Sequence, residues 1–375
     1  MKLICVAGAR PNFVKVAPII RLLSRSSGFQ AVLVHTGQHY DEAMSGSFFR
    51  DLGIPLPDHH LEVGSGAHAE QTAEILKRFD DVLESERPDG VIVVGDVNST
   101  MACSLAAKKR QVVLIHIEAG LRSFDRNMPE EINRLVTDSI SDLLLVTENS
   151  GRTNLLREGV PESRIHMVGN LMIDTLLLNL ERARQSSIAR TLGIERGPFG
   201  LVTLHRPSNV DAPRQLLELM EALAAIANDL PLYFPVHPRT RTRLASLSLE
   251  SSRNLHLIDP LGYLDFLCLM SLSKVVLTDS GGIQEETTAL GIPCLTLRNN
   301  TERPITIEEG TNLLAGTSKE SIAAAWQSFS SQPKSGRVPA LWDGHAARRC
   351  LGVISRFFGV PLPVPDAYPA PAILG

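Results

Sequence analysis

Short apolar runs rich in Val, Ile and Leu alternate with longer amphipathic segments along the whole chain. That rhythm predicts repeated βα units and a parallel sheet buried on both faces. The runs "LICVA", "AVLVHT", "VIVVGD", "VVLIHIE" and "DLLLVTE" are the expected strands of the first half. "GLVTLH", "LYFPVH", "NLHLID", "KVVLTD" and "IPCLTL" are those of the second. Residues 213 to 230 typify the helices between them, with Leu216, Met220, Leu223, Ala227 and Leu230 on one face behind an expected Asp211 cap and Pro213.

The rhythm pauses near residue 170, where one long helical segment and a Gly/Pro-bearing loop separate the two strand sets. This predicts an N-terminal domain over 1–170 and a second over 171–360, with a last helix at about 343–359 that packs back on the first domain. Residues 361–375, "PLPVPDAYPAPAILG", read as an irregular proline-rich tail. A length of 375 residues suits two domains of ordinary size.

Composition narrows the class. With 43% hydrophobic and 21% charged residues and a net charge of -4, the chain reads as globular, with no basic excess for nucleic acid and no apolar run long enough to span a membrane. The five scattered cysteines form no metal-ligand pattern and read as reduced core residues of a cytoplasmic protein.

Candidate chemistry collects just after the strands. The successive segments are "GARPNFVK", "TGQHYD", "GDVNST", "EAGLRSFDRNMPEEINR", "LHRPSNVD", "VHPRT", "DSGGIQEE" and "LRNNTERP". Ligands of open α/β sheets bind beyond the strands' carboxyl ends, so these groups are expected in one cleft between the domains. GxGxxG, GxxxxGK[ST], DxD, HExxH and GxSxG are all missing from the sequence. That argues against dinucleotide, P-loop, metal-dependent DxD, zincin and nucleophile-elbow chemistry.

In "LTDSGGIQEETTALGIP", Ser280, Gly281 and Gly282 open a helix whose unpaired N–H groups suit a phosphate, yet Glu285 and Glu286 follow at once. A nucleoside diphosphate reconciles the two, since a carboxylate one turn on can accept from ribose hydroxyls. Arg10, Lys15, Arg206, His237 and Arg303 are the cations available to its pyrophosphate. Taken alone, Asp96 and Asp279 suit caps or turns and Glu131 the acidic first turn of a helix; Glu118 reads as a carboxylate buried at a sheet end, an expensive place without a task, with pairing to an arginine such as Arg122 the simpler alternative.

The ordered motifs "GARPNFVKVAPII", "TGQH", "VVGDVNST", "HIEAGLRS", "MPEEINR", "VGNLMIDTL", "PVHP", "LTDSGGIQEE" and "TERPITIEEGT" resemble the non-hydrolysing UDP-N-acetylglucosamine 2-epimerases over nearly the whole chain. The resemblance implies an α/β, GT-B-like fold of two Rossmann-like domains facing across a cleft, parallel sheets flanked by helices, and a homodimer. It implies UDP contacts by Arg10, Lys15, His237, Ser280, Gly281, Gly282 and Glu286, with Phe266 near the uracil. It also implies acid and base roles among Asp96, Glu118, Glu130 and His205. No metal or nicotinamide cofactor is implied.

Two departures stand out. The family's "HRREN" is "HRPSN" here, keeping His205 and Arg206 but not the next polar pair. Asp41 and Glu70 stand where members activated by a second nucleotide carry Gln and Arg, and acid there would repel a pyrophosphate. A glycosyltransferase sharing the fold, a silent UDP-sugar sensor and an epimerase of a diacetamido-uronic acid nucleotide are the rival readings.

Overall fold

The computed structural model describes residues 1–26, 28–37, 49, 51–194, 197–247 and 253–361, with the side chain of Arg10 outside the description. Gln38, His39 and Asp41 and the tail beyond Pro361 therefore lie outside the described residues. The chain forms two compact units. The first comprises Met1–Leu178 with the described residues from Ala340 on, and the second Asn179–Pro339. The division falls inside the helix Leu171–Arg184 rather than at residue 170, because that single helix runs on without a break.

The first unit holds a sheet of seven strands: β1 (Lys2–Ala7), β2 (Gln30–His35), β3 (His59–His60), β4 (Gly90–Val94), β5 (Val113–Ile117), β6 (Leu143–Val146) and β7 (Ile165–Met167). Their order is β3-β2-β1-β4-β5-β6-β7, every pair parallel. The second unit repeats the plan with β8 (Gly200–Thr203), β9 (Leu232–Pro235), β10 (Leu255–Ile258), β11 (Val275–Thr278), β12 (Cys294–Thr296) and β13 (Asn312–Leu314). The order there is β10-β9-β8-β11-β12-β13, again all parallel.

In each sheet the chain first winds to one side of its opening strand and then returns to continue on the other. The crevice at that reversal lies between β1 and β4 in the first unit and between β8 and β11 in the second. The apolar runs read from the sequence are these strands because both faces are covered: β4 and β11 are buried at every position. The strands without a sequence signal, β3, β7 and β13, are two or three residues long and lie at sheet edges.

Helix Pro213–Ala227 buries Leu216, Leu219, Met220, Leu223 and Ile226 against the second core. Its N-cap is Ala212, and Asp211 instead pairs with Arg239 and Arg243. Leu230 lies beyond the helix end yet is buried in the same core. The helix Ala346–Phe358 packs on Arg10–Ser24 within the first unit. Asp174 accepts from the amides of Ala346 (3.0 Å) and Ala347 (2.7 Å) and so caps it. All five cysteines are buried with free thiols. Among the described residues no helix is long and apolar enough to cross a membrane.

Candidate functional site

In the first unit, β1 feeds helix Arg10–Ser24, and Asn12 locks the junction to the neighbouring strand. Its side chain accepts from the Ala9 amide (2.9 Å) and donates to the Val94 carbonyl (2.9 Å). One turn later Lys15 is buried and ion-paired with Glu118, at the end of β5. Gly95, just after β4, has φ +72°, and a Cβ there would lie 3.4 Å from Glu118 Oε2 and 3.5 Å from Lys15 Nζ. The glycine lets the strand end run close beside the pair.

Glu118 itself has φ +73°, a left-handed backbone that costs a non-glycine residue on the order of 1–3 kcal/mol. The amides of Glu118 and Ala119 both donate to Leu145 O, at 3.0 and 3.2 Å, so the neighbouring strand end enforces the turn. Gly120 continues it at φ +79°, where a Cβ would come within 2.3 Å of the Gly151 carbonyl. The "EAG" triplet is thus a tight turn that aims a carboxylate.

Glu118 does not pair with Arg122, contrary to the simpler sequence reading. Arg122 pairs with Asp138 at 2.7 Å and with Glu158 at 2.7 Å, while Asp138 also binds His116 Nδ1 (2.6 Å) and the Gly120 amide (3.0 Å). Burial would raise the Asp138 pKa, but the charges of His116 and Arg122 bring it below the ordinary aspartate range. This buried group braces the turn from behind. Nothing in the residue spacing distinguishes it from the groups in front.

Asp96 follows β4 and is ion-paired with Arg134. Arg134 also contacts Glu131 at 2.8 Å, and Glu131 accepts from the amides of Ser123 (2.9 Å) and Phe124 (3.0 Å). Glu131 is therefore more than an acidic first turn: it ties the loop after β5 to the helix Pro129–Ile140. Glu130 beside it is half-buried, with no hydrogen bond or ion pair among the described residues. The sequence reading missed Arg134 and Asn133, whose Nδ2 donates to the Asp96 carbonyl (2.9 Å) and to Asn98 Oδ1 (3.2 Å).

In the second unit, β8 and β11 lie side by side, so the segments after them meet. Asp279 is wholly buried and accepts from the amides of His205 (3.1 Å) and Arg206 (3.0 Å), from Asn209 Nδ2 (3.1 Å) and from His205 Nδ1 (2.9 Å). Burial alone would raise its pKa, but the His205 ring, the Arg206 amide and Asn209 hold it below the aspartate range. Read from sequence as a cap or turn residue, it is a carboxylate gripped by the segment 205–209.

The helix Gly281–Leu290 begins directly after, with Ser280, Gly281 and Gly282 half-buried at its start. A Cβ on Gly281 would come within 2.6 Å of Glu302 Oε1. Glu302 is held by Arg298 (2.7 Å) and Arg206 (3.3 Å). Burial opposes its ionisation, and the charges of Arg303, Arg298 and Arg206 reverse that and leave its pKa far below the usual range. Arg206 also donates from Nε to the Asp279 carbonyl (3.0 Å), which fixes it beside the helix start.

Glu285 and Glu286 fall in the second turn of this helix, not the first, and do not present two negative charges. Glu285 pairs with Arg303 at 2.8 Å, both buried. Glu286 is pushed up to about 8, by burial first and by the Glu285 charge second, and is therefore largely neutral at pH 7. Burial first, and the nearby Glu286 carboxyl second, push the pKa of the Tyr263 hydroxyl well above its ordinary value. Phe266, on the same helix Tyr263–Leu272, is half-buried. His237 is exposed and caps the helix Pro238–Ala245, its Nδ1 accepting from the Arg239 amide at 3.3 Å.

Each unit thus gathers its predicted groups at its own sheet reversal. Lys15, Glu118 and Asp96 stand in the first; His205, Arg206, Ser280, Gly281, Gly282, Glu286 and Arg303 stand in the second, with His237 and Phe266 on flanking helices.

A family model described as UDP-N-acetylglucosamine 2-epimerase matches residues 21–355. The UDP-N-acetylglucosamine 2-epimerase of Methanocaldococcus jannaschii is 41% identical over 364 residues, covering 95% of this chain and 99% of that protein. The UDP-2,3-diacetamido-2,3-dideoxy-D-glucuronate 2-epimerase of Pseudomonas aeruginosa is likewise 41% identical, over 326 residues, covering 86% and 90%. A crystal structure of the M. jannaschii enzyme in complex with UDP-GlcNAc and UDP aligns with a TM-score of 0.88 at 40% identity, covering 95% of this chain and all of that one.

Proposed function

The chain belongs to the UDP-N-acetylglucosamine 2-epimerase family, and on that premise we propose that it reversibly inverts C2 of a UDP-N-acetylhexosamine, UDP-GlcNAc to UDP-ManNAc. The observation that carries this reading is the division of chemistry between the two sheet reversals. Carboxylates held by cations stand at one, and an open helix start with a neutral carboxyl one turn on stands at the other.

The C2 hydrogen of such a sugar is weakly acidic, since no carbonyl adjoins it to stabilise a carbanion. Weakening the C1–O bond to UDP makes C1 oxocarbenium-like and acidifies C2–H. Elimination gives 2-acetamidoglucal and UDP, and re-addition with a proton delivered to the opposite face completes the inversion. The reaction needs donors for departing UDP, and acid and base groups on two faces of the ring.

The residues supply both. Ser280, Gly281 and Gly282 offer the helix start to the diphosphate, with Arg10 and Arg206 as cations and His237 as a further polar contact. Glu286, kept from repelling the phosphates by its raised pKa, receives the ribose hydroxyls. Asp96, Glu118, Glu130 and His205 are the acid and base set. Lys15 acts on UDP only if it leaves Glu118, so its first role is to hold that carboxylate.

Incubation with UDP-GlcNAc in deuterium oxide tests the reading: the proton NMR spectrum of the epimer shows solvent deuterium at C2. Retention of the original hydrogen, or turnover only with added NAD or a sugar acceptor, overturns it. The diacetamido-uronic acid nucleotide is the second substrate to assay, because the relatives acting on the two sugars are equally identical to this chain. Homodimeric assembly belongs to the same proposal and is read by light scattering of the full chain.

A further inference from the structure

We propose that Asp279 is a positioning residue for His205, fixing the imidazole with its proton on Nδ1 and leaving Nε2 as the atom that exchanges a proton with substrate. The proposal rests on His205 belonging to the acid and base set above. The two residues stand 74 positions apart at the ends of adjacent strands, β8 and β11.

The geometry assigns the tautomer. Asp279 has no exposed surface, and its oxygens sit among donors that the fold holds in place. Oδ2 accepts from the His205 amide at 3.1 Å, the Arg206 amide at 3.0 Å and Asn209 Nδ2 at 3.1 Å. Oδ1 accepts from the His205 amide at 3.1 Å and faces the ring Nδ1 at 2.9 Å. An ionised carboxylate only accepts, so this contact requires the proton to be on Nδ1. The carboxylate's orientation is set by backbone amides and Asn209, independently of the ring it holds.

The imidazole is otherwise outward-facing. The His205 side chain is 64% exposed, and Nε2 makes no hydrogen bond among the described residues. An exposed histidine without this anchor would sample several rotamers and both tautomers. A buried carboxylate under an exposed ring restricts it to one, and stabilises the imidazolium whenever Nε2 holds a proton.

Asparagine at this position is the discriminating change. Oδ2 has three donors around it and Oδ1 two, so the substituted amide turns its NH2 toward the ring. Nδ1 must then accept, and the proton moves to Nε2.

The experiment uses the full chain with 15N-labelled histidine and no substrate, at a pH where imidazole is neutral. Long-range proton–nitrogen spectra, with His205 assigned from its loss in His205→Ala, show the Nδ1–H tautomer in the wild type and Nε2–H in Asp279→Asn. In parallel, Asp279→Asn lowers kcat on the order of 10²-fold with UDP affinity unchanged in calorimetry, and costs nothing further in a His205→Ala background. A wild-type ring already protonated on Nε2 overturns the proposal. So does an Asp279→Asn loss of equal size with and without His205. The wild-type tautomer is read without substrate and without Asp279→Asn, so it tests the proposal even where that variant fails to fold, and a wrong sugar assignment fails separately.

Discussion

Lys15 and Glu118 are 103 residues apart in the chain and form a buried ion pair beside Gly95, between the ends of β1 and β5. A lysine that sequence alone presents as a surface charge or a nucleotide contact is thereby the counter-ion of a carboxylate on a strained backbone.

Removing Lys15 takes the counter-ion away from a buried carboxylate. Lys15→Met should destabilise the protein by about 3–5 kcal/mol in urea unfolding, and Lys15→Met with Glu118→Gln should recover most of the loss. Turnover should stay abolished in the double variant, because the carboxylate itself is gone. Recovery of activity along with stability would mean that Glu118 serves the fold alone.

Asp96→Asn should leave UDP affinity intact in calorimetry and reduce turnover by about 10²–10⁴, the usual contribution of a positioned acid or base. A parallel loss of UDP binding would reassign Asp96 to nucleotide recognition.

Glu286→Ala should weaken UDP by about 0.5–1.5 kcal/mol, the net scale of a hydrogen bond to an uncharged group. The same residue links stability to pH. Its native pKa, near 8, exceeds the ordinary 4.5, so between those values the native state holds a proton that the unfolded chain has released. The stabilisation is complete below 4.5 and is lost as pH rises through 8. Glu286→Gln should therefore flatten the stability profile across that window, and an unchanged slope would show that Glu286 is ionised in the native protein.

Asp174 caps the last helix through two amides although burial pushes it up to about 7. Asp174→Ala should cost about 0.5–2 kcal/mol in thermal or urea unfolding, whereas Asp174→Asn, which keeps an acceptor, should cost less. Equal losses would place its contribution in packing rather than capping.

The sequence by itself determined the two sets of parallel strands and the residues that close them. A strand buried on both faces must read as an unbroken apolar run, so β1, β4, β8 and β11 and the polar groups after them are legible directly. Edge strands such as His59–His60 have too few residues to carry a pattern. Asp211 looked like a cap because Asp before Pro213 usually is one, but here its charge is taken by Arg239 and Arg243.

Partnership was decided only by the tertiary structure. Asp279 reads as a turn residue until β11 lies beside β8 and brings His205 over it; Glu118 reads as a buried carboxylate, with Arg122 only one possible counter-ion, until helix Arg10–Ser24 delivers Lys15. The physical reason is strand order. Neighbours in a parallel sheet lie about 4.8 Å apart whatever their separation in sequence, and the reversal that sets β1 beside β4 and β8 beside β11 is a property of the winding, not of any local pattern.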